Sequence, residues 1–269
     1  MDSEVIEELK TALKNLLNFF GFEIMRKRKR NFDQIIQECF QKIQVTPRIV
    51  IDVGAHVGES INRFNLLFRN PKIYSFEANS SLAHSLFTKY KESNVKVFSI
   101  GLGAVPGSQA INLYTSSSGS SSFLEANPGE KFAKRRGISE VNTEKTIINV
   151  ETLDGLYRGG IISEEIDFLK IDTQGTELDV LRGASYLLKN SLIKFIEVEI
   201  IVTPVYMNQE RWSSIIDYLL SHGYNLVALT NDVRYYNLGP FDILKNPELQ
   251  IDCLFASESI YKSLLRDAP

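Results

Sequence analysis

The stretch that most constrains this chain is Arg48-Ile49-Val50-Ile51-Asp52-Val53-Gly54-Ala55-His56-Val57-Gly58-Glu59. A short apolar run ends in an acid, passes through two glycines, and opens into a helical pattern beginning at Glu59-Ser60. An apolar run of that length bounded by a glycine turn reads as a buried strand. Strand, turn and helix in that order form the first unit of an open α/β sheet. Ligands of such sheets bind beyond the carboxyl ends of the strands, so this turn is the first place to look for a site.

The rest of the chain extends the pattern. Strands are expected near 49–53, 73–77, 95–99, 166–171, 193–200, 225–230 and 251–256, with helices near 59–69, 80–91, 177–190 and 209–222. Such alternation predicts a doubly wound, seven-stranded, mostly parallel sheet with helices on both faces. The alternation breaks between 103 and 165. There, 109–114 and 146–150 read as a β-ribbon, separated by Thr115-Ser116-Ser117-Ser118-Gly119-Ser120-Ser121-Ser122 and a polar segment to Lys145. A loop of this length is either a functional lid or a disordered insertion. Its position after the third strand places it at the carboxyl edge.

Residues 48–269 are therefore expected to form one α/β domain, with 1–47 a helical extension. In 1–21, Val5, Ile6, Leu9, Leu13, Leu16, Leu17 and Phe20 lie on one helical face that needs a partner surface, which makes a homodimer an expectation. The run Arg26-Lys27-Arg28-Lys29-Arg30 reads either as a solvated linker or as a peripheral contact with anionic lipid or a polyanion. Thirty basic against 33 acidic side chains give a formal charge of −3, which offers no global attraction for nucleic acid. With no apolar run of transmembrane length, no secretory leader pattern and only Cys39 and Cys253, the expected setting is the cytoplasm. His56, His84 and His222 show no metal-ligand spacing, so no protein-built metal site is expected.

Four strand ends carry candidate chemistry. The first turn, Asp52-x-Gly54-x-His56-x-Gly58, has His56 where a dinucleotide fingerprint has its middle glycine, and Glu59 opens the helix. An anionic pyrophosphate is disfavoured there, while a zwitterionic amino-acid moiety suits a turn flanked by two acids. A purely structural glycine turn is the plainer reading. The second strand ends Phe76-Glu77-Ala78-Asn79, and an acid at that spacing accepts hydrogen bonds from ribose hydroxyls. Its competing role, capping the next helix, is better served by residues in Asn79-Ser80-Ser81. The fourth strand ends Leu169-Lys170-Ile171-Asp172, and the fifth carries Glu197 and Glu199 toward the same edge. Asp172 and Glu199 either converge on a reacting group or are ion-paired with Lys170, Lys194 or Arg182, since polar groups in such places must be paired or serve a site.

Together these residues carry a resemblance. Asp-Val-Gly-Ala-His-Val-Gly, Phe-Glu-Ala-Asn and Leu-Lys-Ile-Asp-Thr-Gln-Gly-Thr-Glu-Leu-Asp-Val-Leu-Arg-Gly-Ala resemble the FkbM family of S-adenosylmethionine-dependent methyltransferases, over residues 48–256. Val150-Glu151-Thr152-Leu153-Asp154, Ser121-Ser122 and the segment Pro204-Val205-Tyr206 after the Glu199 strand belong to the same likeness. The chain departs from the family in Thr173-Gln174-Gly175, where Val-Glu-Gly is frequent, and at His56, where Asn or Tyr is common. Gln174 lacks the carboxylate, which puts in doubt any role for that position as a base.

The resemblance implies a Rossmann-like fold with S-adenosyl-L-methionine over the first turn, held by Asp52, Gly54, Ala55, His56 and Gly58. It puts Glu77 on the ribose, Ala78, Gly101 and Leu102 near the adenine, and Asp172 near the methyl-bearing end. Ser121, Ser122 and Tyr206 are then expected on the substrate side. It also implies O-methylation of a sugar, glycan or related hydroxyl, with Asp172 or Glu199 taking the proton. Two alternatives stay open: a catalytically silent module of this fold that binds a partner through 1–47, and a nicotinamide-dependent oxidoreductase, which the missing middle glycine disfavours.

Overall fold

A computed structural model describes residues 31–127, 131–135, 137–138, 142–203, 205–231 and 250–266. The N-terminal amphipathic pattern, the basic run 26–30 and Pro204 lie outside the described residues. Residues 32–269 constitute one compact unit.

Its centre is a seven-stranded sheet in the order β3-β2-β1-β7-β8-β10-β9. The strands are β1 (Ile49–Val53), β2 (Lys72–Phe76), β3 (Val95–Phe98), β7 (Ile166–Ile171), β8 (Ile193–Ile201), β9 (Tyr224–Asn231) and β10 (Gln250–Ser257). Pairing is parallel from β3 through β8, and β10 runs antiparallel between β8 and β9. Every residue of β1 and β7 is buried, as expected of parallel strands covered on both faces. The chain order reverses between β1 and β7, which is the switch point where ligands of open α/β sheets bind.

Two cores fill the layers. On one face α5 (Leu153–Arg158), α6 (Glu177–Arg182), α7 (Ser185–Lys189) and α8 (Trp212–Ser221) contribute Leu153, Leu181, Leu187 and Leu219. On the other, α1 (Phe32–Lys42), α2 (Glu59–Leu67), α3 (Ser80–Tyr90) and α9 (Glu258–Leu265) cover the sheet. Phe40 of α1 lies 4.7 Å from Phe195 and 6.3 Å from Phe168, ring centre to ring centre. The described part of the 1–47 segment is thus packed on the sheet itself, and aromatic contact at that range adds to the burial of each ring.

The expected single helix over 177–190 is two helices, α6 and α7. They part at Gly183-Ala184 because the backbone of Gly103 crosses there: a Cβ on Gly183 would lie 2.1 Å from the Gly103 carbonyl oxygen.

The expected ribbon is present and longer than its pattern. β5 (Gly107–Tyr114) pairs antiparallel with β6 (Thr143–Glu151), and β4 (Gly101–Leu102) joins β6 in a three-stranded sheet. Short helices at Ser118–Ser120 and at α4 (Lys131–Arg135) lie between β5 and β6. No helix among the described residues is long and apolar enough to cross a membrane.

Candidate functional site

The turns after β1 and β7 are built against each other. Gly54 has φ +81°, and a Cβ there would stand 1.8 Å from the Asp172 carbonyl oxygen, so only glycine lets the two turns touch. His56 also sits in the left-handed region, and its backbone N–H donates to Glu77 Oε2 at 2.7 Å. The other oxygen of Glu77 accepts from the Asn79 N–H at 2.8 Å, while the Asn79 side chain accepts from Ser81 and Leu82 and caps α3. Glu77 is therefore not the cap. It is a fixed carboxylate with lone pairs left over, and burial pushes its carboxyl up despite the two backbone donors.

These residues border a cleft between the β1, β2 and β7 turns on one side and the β5 end with the serine turn on the other. Gly54, His56, Glu77, Ala78, Gly101, Leu102, Ser121, Ser122 and Asp172, all expected from sequence, line it. Phe76, Ile100, Ile111 and Phe123 add apolar walls that the sequence reading did not single out; Phe76 and Ile100 were signalled only by their places beside Glu77 and Gly101, and Phe123 by its place after Ser122.

The serine segment folds over this cleft. His56 Nε2 lies 2.8 Å from Ser118 Oγ, the Ser122 hydroxyl donates to the Gln174 carbonyl oxygen at 2.7 Å, and the Tyr206 hydroxyl donates to the Ser120 carbonyl oxygen at 2.7 Å. Tyr206 is buried, so its hydroxyl serves the turn's backbone.

Three other expected residues stand back from the cleft. Asp52 is fully buried beneath the turn, where its Oδ2 accepts from the Ser60 hydroxyl at 2.7 Å and burial raises its carboxyl. Ala55 is packed in the α1–α2 core, and Gly58 backs onto Leu86 and Tyr90 while starting α2.

At the far end, Asp172 and Glu199 do converge, and their link is Gln174. Its amide nitrogen donates to Asp172 Oδ1 at 2.8 Å and to Glu199 Oε2 at 2.9 Å, while its Oε1 lies 3.3 Å from the Tyr206 hydroxyl. The opposite amide orientation would face an oxygen toward the Asp172 carboxylate, which favours the orientation described. Burial pushes the Glu199 carboxyl well up, and the neighbouring Asp172 charge pushes it further. Burial also acts on Asp172, but the Lys170 charge and the Gln174 donor outweigh it and hold its carboxyl below the usual range. Two like charges so close share a proton. The shared proton is drawn toward Glu199 and away from Asp172.

Sequence reasoning set pairing with Lys170 against convergence for Asp172, and both occur. Lys170 Nζ lies 3.3 Å from Asp172 Oδ2, whereas Lys194 and Arg182 pair elsewhere, with Asp167 and Asp179. The turn itself is held by Glu177, which accepts from the N–H groups of Thr173 and Gly175 at 2.9 and 3.0 Å. Burial nevertheless pushes its carboxyl to about 7.

The methyltransferase FkbM domain matches residues 52–226. Methyltransferase FkbM from Methylobacillus flagellatus KT is similar in structure, at 16% identity over 87% of this chain and 46% of that one, with a TM-score of 0.47. Aeropyrum pernix fibrillarin with natively bound S-adenosyl-L-methionine follows at 14% identity over 78% and 66%, TM-score 0.39. Magnesium protoporphyrin IX methyltransferase from Synechocystis PCC 6803, with bound S-adenosylmethionine, matches at 13% identity over 92% and 97%, TM-score 0.42. The chain thus spans 46% of the length of the Methylobacillus protein and 66% of the fibrillarin. No curated protein matches it.

Proposed function

We propose an O-methyltransferase acting on a sugar or glycan hydroxyl for this chain, which belongs to the FkbM methyltransferase family and uses S-adenosylmethionine as its cofactor. The observation that carries the reading is the Asp172–Gln174 pair, backed by Glu199 through the Gln174 amide, at one end of a cleft whose other end offers a fixed carboxylate and apolar walls.

The cleft suits the cofactor's parts in order. Phe76, Ile100 and Phe123 are the apolar surfaces for an adenine, and Glu77 keeps acceptor capacity for ribose hydroxyls. Near Gly54, the ionised Asp172 complements an ammonium and a sulfonium. When bound, S-adenosylmethionine supplies a methyl group activated by positively charged sulfur.

The residues of this chain do the rest. A sugar hydroxyl is a weak nucleophile, so it must be oriented and relieved of its proton as the bond to carbon forms. Asp172 is the acceptor of that proton because Lys170 and Gln174 keep it ionised. Glu199 stands behind the pair: it shares the Gln174 amide with Asp172, and its raised carboxyl draws the shared proton away from Asp172. The serine turn, closing through Ser118 and Ser122, excludes water from the reacting end.

Isothermal titration is the first test. S-Adenosylmethionine and S-adenosylhomocysteine are expected to bind the wild type, and Glu77→Ala to bind both about tenfold to a hundredfold more weakly. Absence of binding, or a Glu77→Ala variant equal to wild type, overturns the cofactor reading. Transfer of radiolabelled methyl to a panel of methyl glycosides tests the acceptor class. Labelling of amines but of no hydroxyl overturns O-methylation.

A further inference from the structure

Lys170 lines no part of the cleft, yet it stands where the elements of the cleft meet. It is on β7 in register with Asp52 of β1 on one side and Glu197 of β8 on the other. Its side chain is buried, and its Nζ donates to the Gly54 carbonyl oxygen at 3.0 Å. The same nitrogen lies 3.3 Å from Asp172 Oδ2 and 3.6 Å from Asp52 Oδ1, and that Asp52 oxygen has no hydrogen-bond partner among the described residues.

We propose that Lys170 is the positioning residue of the methyl-donor site: its ammonium ties the Gly54 turn to Asp172 and is the counter-charge that keeps the cofactor-facing carboxylate in place and ionised. The inference rests on the S-adenosylmethionine reading above.

The surroundings explain why one cation carries so much. Asp52 faces it from β1, Asp172 from the turn after its own strand, and Glu197 and Glu199 from β8. Asp252 of β10 and Glu177 of α6 also feel the Asp172 charge. The other cation here, Arg63 of α2, is spent on a bidentate pair with Glu197 at 2.6 and 3.0 Å and on Asp33 at 2.6 Å. Burial alone would lower Lys170, but the surrounding carboxylates outweigh it and raise its ammonium above the usual range. It stays charged at every working pH. Three anchors at fixed distances also explain why the stem of a lysine fits: the ammonium is a point charge with three donors, one toward the carbonyl and two toward the acids.

The role differs from mere packing in its pH signature. Without the ammonium, burial and the remaining acids raise the Asp172 carboxyl, so it takes up a proton as pH falls. Loss of that charge weakens the hold on a cationic cofactor.

The test is calorimetric binding of S-adenosylmethionine between about pH 5 and pH 8 by full-length wild type, Lys170→Met, Lys170→Gln and Lys170→Arg, with thermal unfolding of each. Lys170→Met is expected to bind about tenfold to a hundredfold more weakly near neutral pH, with affinity falling further as pH drops. Wild type and Lys170→Arg are expected to share one profile across this range, without that added fall. Lys170→Gln keeps a donor toward Gly54 but no charge, so it shares the pH slope and carries the test if Lys170→Met unfolds. Unchanged affinity, or a loss independent of pH in both neutral variants, overturns the proposal. Failure of the wild type to bind S-adenosylmethionine would instead strike the cofactor reading on which it rests.

Discussion

The two ends of β7 hold charge in opposite ways. At the amino end Asp167 is buried and fully matched: its Oδ2 accepts from the N–H groups of Arg48 and Ile49 at 2.7 and 3.0 Å, and its Oδ1 from Lys194 at 2.6 Å. At the carboxyl end one ammonium faces Asp52 and Asp172, and an amide bridges Asp172 to Glu199. The first arrangement joins β1, β7 and β8 and leaves nothing over. The second leaves more acid than the one ammonium matches, and under the proposed function that excess is what meets a cationic cofactor. Acids near the two ends of one strand thus differ in what their donors leave over.

That contrast can be broken by substitution at either end. Removing the proposed base has the largest expected effect. Asp172→Asn should lower methyl transfer by about 10² to 10⁴, the usual worth of a general base, with thermal stability near that of wild type. Transfer kept within a few-fold would remove Asp172 from the role.

At the other end Asp167→Ala should cost about 3 kcal/mol of stability, because it strands two backbone donors and leaves the half-buried Lys194 with only the exposed Glu165. Urea unfolding measures the cost, while S-adenosylhomocysteine affinity should stay within about twofold for a variant this far from the cleft. A stable Asp167→Ala protein with impaired binding would invert the comparison.

Gln174→Glu tests the bridge with almost no change of shape. A glutamate donates only when protonated, so the carboxylate pair gains a third acid in place of a shared donor. Methyl transfer should fall about tenfold at neutral pH and recover as pH is lowered. A flat pH profile would show that the amide matters only for shape.

The smallest effect is on pH-dependent stability. Asp252 is pushed from its ordinary 3.8 to about 7, first by burial and then by the Glu197 and Asp172 charges. The folded carboxyl therefore binds its proton more tightly than the unfolded one, and its contribution to stability is present at low pH and lost as pH rises toward about 7. Asp252→Asn should remove that slope, by about 1 kcal/mol or more across the window. An unaltered slope in urea titrations at several pH values would assign it to other groups.

Much of this was legible in the chain. Apolar runs of five to six residues bounded by glycine turns can satisfy their backbone only in a sheet, and regular alternation with helices makes that sheet parallel. Gly54, Glu77, Asp172 and Glu199 were readable because each stands at a strand's carboxyl end, where strand direction alone brings them to one edge. The serine run was readable as a cover because it interrupts the alternation at that edge.

What the sequence could not order was anything set by contacts between elements distant in the chain. Phe40 looked like part of an extension, and only ring packing on Phe168 and Phe195 brings α1 into the core. Tyr206 looked like a substrate contact, and its burial beneath Ser120 makes it a support for the cover. Lys170 and Gln174 looked like one ion-pair partner and one lost carboxylate. Their roles come from distances of about 3 Å to groups on other strands and turns. Periodicity and spacing fix which edge a side chain reaches, because backbone geometry is local. Which charges meet there, and which of them keep a proton, depends on through-space electrostatics in a buried setting, and only the tertiary structure decides that.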